Sequence, residues 1–464
     1  MINIAMFGSV LLTPLLFLLM PVRRALVTSY CVLWMFLPVA SISMPGIPTL
    51  DKPAAISVGV LIAMVLFYLD LIIKKFRPQW YDLPVVAFGF VIPFFSALNN
   101  DMGMDGALYE SVQALFLWVM PYFAGRIILG DEMGVKTLAT GIFYAALIYT
   151  PFAWFEMLFS PQLHLKLYGY HQHQFQQTVR GWSYRPMVFM THGLMTSMWM
   201  CAGAVCGIWL QRAKQLHWKL PFKAQYAVFF LFFTAAVSNS MGATLLMFIG
   251  LGLLFLMRRV RPAWVLVPLI LIPPLYIVTR ATGTVSSDEL VSLVVPVSTD
   301  RALSLQHRLV AEDAYVAKAM EKPMMGWGGY GRHRPKDPET GKTYTSDGLW
   351  IIVFGKTGLL GLVSMVVTLL VVPAVIVAKQ NARVWRHPRF APAAALTVLL
   401  CLYTIDNLLN AMVNPIYILA AGALVGFAGQ PLGARFKQRT AHQRRHRPAD
   451  PGQQRRERPV GIVT

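Results

Sequence analysis

Charge is what this sequence has least of. Only 13% of its 464 residues are Asp, Glu, Lys or Arg, against 56% hydrophobic, too little to cover a soluble chain of this length. The ten-residue alternating patterns of a transmembrane barrel are also missing, so helices are the remaining way to satisfy the backbone in lipid. Cysteine is scarce: Cys31, Cys201, Cys206 and Cys401 all fall in apolar runs, and no disulfide framework is expected. The first run, Met1 to Met20, has neither a basic start nor a small-residue cleavage site, which argues against a cleaved signal peptide. Charges within the apolar runs are few, Asp70, Glu110, Glu156 and Asp406 among them. A proton-coupled transporter would show more of them near mid-span, together with an internal repeat.

What the sequence does have is apolar runs of membrane-crossing length. Candidate spans lie near 4–21, 25–43, 55–73, 82–97, 107–125, 137–158, 187–210, 224–239, 242–257, 263–279, 349–378, 391–407 and 414–428. The expected fold is all-α, a polytopic transmembrane helical bundle of about 12–13 spans, since roughly 20 apolar residues cross the hydrocarbon. The formal charge of +20 sits in alternate loops: Arg23–Arg24, Lys74–Arg77, Arg212–Lys223, Arg258–Arg261 and Lys379–Arg389. The other set of loops is poor in basic residues. This positive-inside pattern predicts a multi-pass protein of the bacterial inner (cytoplasmic) membrane with a cytoplasmic C-terminus and with loops 159–186 and 280–348 outside.

Four regions follow. Residues 1–279 form an N-terminal membrane bundle, 280–348 an extracytoplasmic loop domain, 349–430 the C-terminal membrane helices, and 431–464 a basic tail. The tail holds nine basic and two acidic residues without apolar periodicity. It is expected to be disordered and to attract anionic lipid headgroups rather than nucleic acid.

The loops carry the chemistry. Asp300 to Lys322 reads as an amphipathic helix stopped by Pro323. Arg301, Arg308, Glu312 and Tyr315 share one face; Leu303, His307, Val310, Ala314 and Ala317 make a neighbouring, more apolar one. On spacing alone, Arg308 and Glu312 are an ordinary i, i+4 pair on a surface helix. Next comes PMMGWGGYGR at 323–332, a glycine turn whose backbone could approach a ligand closely or hold an anion. Ser346-Asp347-Gly348 then opens the following span, where Asp347 on its own would be a helix cap. In loop 159–186, Arg180 and Arg185 suit phosphate, because a guanidinium fork binds its oxygens bidentately. His164, His171 and His173 lack a nearby carboxylate or cysteine and make a weak metal pattern, so no metal and no cofactor is expected. His192 stands just inside the next span.

Taken in order, these elements resemble the O-antigen ligase and polymerase superfamily of bacterial envelope glycosyltransferases. The resemblance rests on Arg308, the 323–332 turn, Asp347, and Gly355-Lys-Thr-Gly358-Leu-Leu-Gly361, with support from Arg185-Pro186 and His192-Gly193. Two positions depart from the family's pattern. The tip Ser238-Asn239-Ser240-Met241 has Met241 where many members have arginine, and Asp347 stands where lipopolysaccharide ligases usually have histidine. The resemblance implies transfer or polymerisation of a polyprenyl-diphosphate-linked glycan onto a saccharide or lipid acceptor outside the membrane. Arg308, Asp347 and Glu312 would be catalytic, with Glu312 orienting Arg308. Arg180, Arg185, His192, Arg280, Arg301, Trp327, Gly328, Tyr330 and Arg332 would bind substrate, and Arg180, Arg185 or Arg280 would replace the charge missing at Met241. The alternative reading is a transporter or flippase for polysaccharide or a lipid-linked substrate.

Overall fold

The computed structural model describes residues 1–44, 47–181, 183–218, 221–296, 299–337 and 340–429, without the side chains of Ile47, Asp300 and Arg301. The 431–464 tail, Trp182 and the Arg301 side chain lie outside the described residues.

The chain is an all-α bundle. Nine helices among the described residues are long and apolar enough to cross a membrane. They are α1 (Ile2–Leu19), α3 (Lys52–Lys75), α4 (Trp80–Leu98), α5 (Gly103–Leu129), α6 (Glu132–Phe159), α7 (Gly193–Arg212), α10 (Pro262–Ala281), α12 (Leu349–Lys379) and α13 (Pro388–Leu409). Three shorter apolar helices join them: α8 (Ala224–Val237), α9 (Met241–Leu256) and α14 (Pro415–Ala428). The run expected at 25–43 is a helix only over 22–36, called α2 here. It gives way to a small antiparallel hairpin, β1 (Ile42–Met44) with β2 (Ile47–Leu50). A second hairpin, β3 (Val179–Arg180) with β4 (Ser183–Tyr184), lies in the loop after α6. Between α10 and α12 lies α11 (Thr299–Met320).

Proline and glycine shape the bundle. In α4 and α5 the turn before the proline widens to a π segment, at Ala87–Val91 ahead of Pro93 and at Leu115–Val119 ahead of Pro121. The wider turn accommodates a residue that has no N–H and would clash with the preceding carbonyls. Where α5 meets α14, a β-carbon on Gly422 would lie 1.9 Å from the Tyr122 carbonyl oxygen, and one on Gly125 would lie 2.1 Å from that of Leu419. Small residues let two backbones approach this closely, and in lipid such packing replaces the hydrophobic drive for association.

The loops sort into two faces. On one, Arg23 pairs with Asp131, Arg126 with Asp82 and Arg389 with Glu132, and Arg386 donates to the Arg259 carbonyl. This is the basic face. On the other, the Tyr170 hydroxyl reaches the Val39 carbonyl, Asn100 reaches Gly326, Arg185 reaches Asn239 and Arg308 reaches Asn410. Here the loops after α2, α4, α6, α8, α10 and α13 converge, as the alternation of charge requires.

Candidate functional site

α11 is the roof of this second face, and it lies the other way round from the expected orientation. Leu303 and Val310, predicted on the apolar face, are exposed, whereas Leu309, Glu312, Tyr315 and Ala319 are buried. The polar face turns inward because partners wait there. Arg280 at the end of α10 donates from Nε to Glu312 (2.7 Å) and from Nη2 to Asp313 (2.6 Å) and Ser287 (3.0 Å). Trp350 of α12 and Tyr276 of α10 donate to the same Glu312 carboxylate at 3.1 and 3.2 Å. Burial pushes the Glu312 carboxyl up from its ordinary range, and Arg280 and Trp350 act against that shift. Glu312 is therefore not the partner of Arg308. It pins α11 to α10 and α12, and Arg280 is committed to that junction. Breaking such a sealed pair is costly, because the surviving charge stays buried and, for Arg280, is left with only the half-exposed Asp313.

One turn earlier on α11, Arg308 reaches a different acid. Its Nε lies 3.6 Å from Asp347 Oδ2, and its Nη1 donates to Asn410 Oδ1 at 3.1 Å. The Asn410 amide in turn donates to Asp406 at 2.9 Å. A third of the Arg308 side chain and half of the Asp347 side chain are exposed. Asp347 does not cap α12: Gly348 is the cap residue and makes no side-chain capping bond. Its carboxylate is instead left beside the guanidinium.

Loop 159–192 brings cations toward the same spot. Glu156, at the end of α6, holds that loop by accepting from the backbone N–H groups of Leu163, Met187 and Val188. Arg185 donates from Nε to the Asn239 carbonyl at 2.9 Å, at the tip between α8 and α9. Its aliphatic stem packs where a β-carbon on Gly193 would lie 2.4 Å away. Burial, followed by the charges of Arg180 and Arg308, pushes Arg185 down to about 10. Arg180 lines a groove of about 490 Å³ with Asn239, Ser240, Met241, Leu245 and Phe248. Of the three arginines considered for the charge missing at Met241, Arg180 and Arg185 stand at that tip and Arg280 does not.

His192 caps α7, its Nδ1 accepting from the Leu194 N–H at 3.0 Å. That leaves Nε2 to carry the proton toward Gln177 Oε1, 3.3 Å away. Burial, then His173, Arg185, Arg308 and Arg180, push the imidazole down to about 3, so it is a neutral donor near pH 7. His164 is spent in the core, with Nε2 on the Val39 N–H and Nδ1 on the Tyr170 carbonyl.

The glycine turn has a mechanical task. α12 breaks at Gly358 (φ 66°, ψ −166°), which frees carbonyls that the turn then satisfies. Trp327 N–H donates to the Gly355 carbonyl at 2.9 Å and Gly328 N–H to that of Lys356 at 3.0 Å, while Leu359 N–H returns to Pro323 at 2.7 Å. A β-carbon on Gly326 would lie 2.5 Å from the Lys356 backbone, and one on Gly358 would lie 2.3 Å from Met324. These N–H groups are therefore committed to α12, where an anion nest had been considered. Trp327 donates to the Lys318 carbonyl (2.8 Å) beneath the Lys318 ammonium (3.7 Å), and Arg332 donates to the Asn100 carbonyl (2.7 Å). Tyr330 stays exposed, with Arg334 over its ring. Tyr330, Gly328 and Gly329 rim a cavity of about 480 Å³, together with Trp118, the Glu110–Lys356 ion pair (2.8 Å) and Leu349.

Sequence reasoning passed over Asn410, Asn239 and His333. His333 is buried against Gly355; burial, then the Lys356 and Arg334 charges, hold it down to about 4. Asn410 could have been sought as a polar residue in an otherwise uncharged loop of the site face.

Residues 226–366 match the O-antigen ligase family. The match runs from α8 into α12 and takes in the α8–α9 tip, Arg280, Arg308, Glu312, the glycine turn and Asp347. No curated protein matches the chain.

Proposed function

We infer that this chain, whose residues 226–366 match the O-antigen ligase family, is a member of the O-antigen ligase/polymerase superfamily and transfers or polymerises a glycan from a polyprenyl-diphosphate carrier outside the bacterial cytoplasmic membrane. The observation that carries the reading is the half-exposed Arg308–Asp347 pair, 3.6 Å apart, beneath a loop that presents Arg180 and Arg185. In the transfer, the bond between the anomeric carbon and the diphosphate oxygen breaks with its electron pair going to the diphosphate. The acceptor oxygen bonds that carbon and gives up its proton. Arg308, with Arg185 and Arg180, stabilises the charge that builds on the leaving group, and Asp347 takes the proton. An entering diphosphate draws the Arg308 fork away from Asp347, which frees the carboxylate oxygen to face the acceptor hydroxyl.

The groove beside Arg180 combines a cation with Leu245 and Phe248, which suits a diphosphate joined to an isoprenoid chain. The cavity at Tyr330 and Trp118 offers aromatic faces and an ion pair, which suits a saccharide or lipid acceptor. Arginines supply the charge stabilisation, so the route is metal-independent. The basic face lies toward the cytoplasm by the positive-inside rule.

The test is to delete the gene, restore it with the wild type, Arg308→Lys or Asp347→Asn, and examine surface glycans together with the carrier-lipid pool. Loss of long glycans, or their accumulation on the carrier, in both variants at normal membrane abundance supports the reading. Wild-type transfer by both variants rules it out and favours a transporter.

A further inference from the structure

We propose that the basic face carries a second binding site, separate from the transferase site, for the phosphate of an anionic phospholipid. A pocket of about 240 Å³ lies there between the ends of α7, α9 and α13, with Arg212, Lys214, Arg258 and Arg386 among its lining residues. All four are exposed, and none pairs with a carboxylate among the described residues. Arg212 rests over the Phe255 ring at 4.7 Å, and Arg386 donates to the Arg259 carbonyl at 3.2 Å, so both guanidinium groups are held at fixed places.

The pocket's wall gives an independent sign of a ligand. Trp209 and Trp385 both line it and are each 7% exposed. Neither indole N–H has a hydrogen-bond partner among the described residues. A buried donor left unpaired costs about 1–3 kcal/mol, and a Trp N–H can only donate. An acceptor is what the site lacks, and four cations around it select an anionic one. A phosphodiester supplies oxygens for the forks, and for the indole N–H groups, now buried in the wall, once the rings turn toward it.

The surroundings favour a lipid over free phosphate. Phe255 and Leu256, beside the pocket at the end of α9, are exposed and would flank acyl chains. Tryptophan with Lys or Arg at helix ends is the usual composition at headgroup depth, where basic pockets between helices hold anionic headgroups.

The experiment uses the purified full-length protein, delipidated and titrated in detergent with phosphatidylglycerol, with phosphatidylcholine or with inorganic phosphate, bound copies being counted by native mass spectrometry. Phosphatidylglycerol is expected to be retained, phosphatidylcholine not, and millimolar phosphate should fail to displace the lipid. Arg258→Gln and Arg386→Gln should each weaken retention roughly fivefold. Trp385→Phe, which keeps the ring and removes the donor, should weaken it in protein that remains monodisperse. Arg24→Gln, an exposed charge on the same face outside the pocket, should leave it unchanged. Equal retention of phosphatidylcholine, displacement by phosphate, no effect of the Arg258, Arg386 and Trp385 variants, or an equal loss in Arg24→Gln would each overturn the proposal.

Discussion

Two arginine–carboxylate pairs meet on α11, one turn apart, and they have opposite characters. Arg280 and Glu312 are 2.7 Å apart with side chains 2% and 3% exposed, and Tyr276, Trp350, Ser287 and Asp313 satisfy what remains. Arg308 and Asp347 are 3.6 Å apart with side chains 33% and 49% exposed, and Arg308 also donates to Asn410. The same two residue types thus act as a rivet in one place and as an available charge pair in the other. Burial and the number of partners separate the two roles; the sequence interval does not.

The comparison can be broken most severely at the rivet. Glu312→Gln leaves the buried Arg280 with only the half-exposed Asp313 as counter-charge and should cost about 3 kcal/mol of stability, the low end for a broken buried pair, read as a lowered unfolding temperature in detergent. A variant as stable as wild type would show that the sealed pair holds nothing together. At the open pair the effect should be on activity alone. Arg308→Lys is expected to lose on the order of 100-fold in glycan transfer, about 2.7 kcal/mol, because a point charge cannot reproduce a bidentate fork. Its unfolding temperature should stay near wild type, since half-exposed pairs contribute roughly 0–1 kcal/mol. A large stability loss in Arg308→Lys would erase the distinction.

A smaller effect sharpens the inner side. Trp350→Phe removes one donor to Glu312 and should cost about 1.5–3 kcal/mol, the range for a hydrogen bond to a charged group. The same unfolding measurement checks it, and no change would mean that Arg280 and Tyr276 suffice. A further effect concerns pH on the outer side. His192 has its folded value lowered from 6.5 to about 3. Between these values the unfolded chain takes up a proton that the folded chain refuses. The stabilising contribution is therefore complete above pH 6.5 and is lost as pH falls toward 3. His192→Asn, which keeps a capping side chain, should flatten the fall of unfolding temperature between pH 7 and 4. An equally steep fall would remove His192 from the account.

Much of the architecture was legible because bilayer thickness writes itself into the sequence as run length. Each apolar run corresponds to a helix, and the alternation of charged loops matches the two faces. The pairing of Arg308 with Asp347 was foreseeable only through motif order, since 39 positions separate them. The inward face of α11 was misjudged for a clear reason. Helical spacing ranks Leu303 and Val310 as the side to bury, but Arg280 and Trp350, distant in sequence, supply partners that make burying Glu312 affordable. The break at Gly358 was equally hidden, because the spacing of Gly355, Gly358 and Gly361 carries a resemblance but no geometry until the turn at 323–332 is seen lodged against them.

That lodging sets what can be exchanged between related chains. The loop preceding α12 donates to the Gly355 and Lys356 carbonyls and accepts from Leu359 and Leu360, so cutting at the membrane boundary severs bonds on both sides. A graft of residues 280–348 alone would place foreign N–H groups against carbonyls shaped for another turn. The transplantable module instead runs from Arg280, the partner of Glu312, through Gly361. A recombinant that inherits the cassette whole keeps its seam closed, and one joined at position 348 opens it in the middle of a helix.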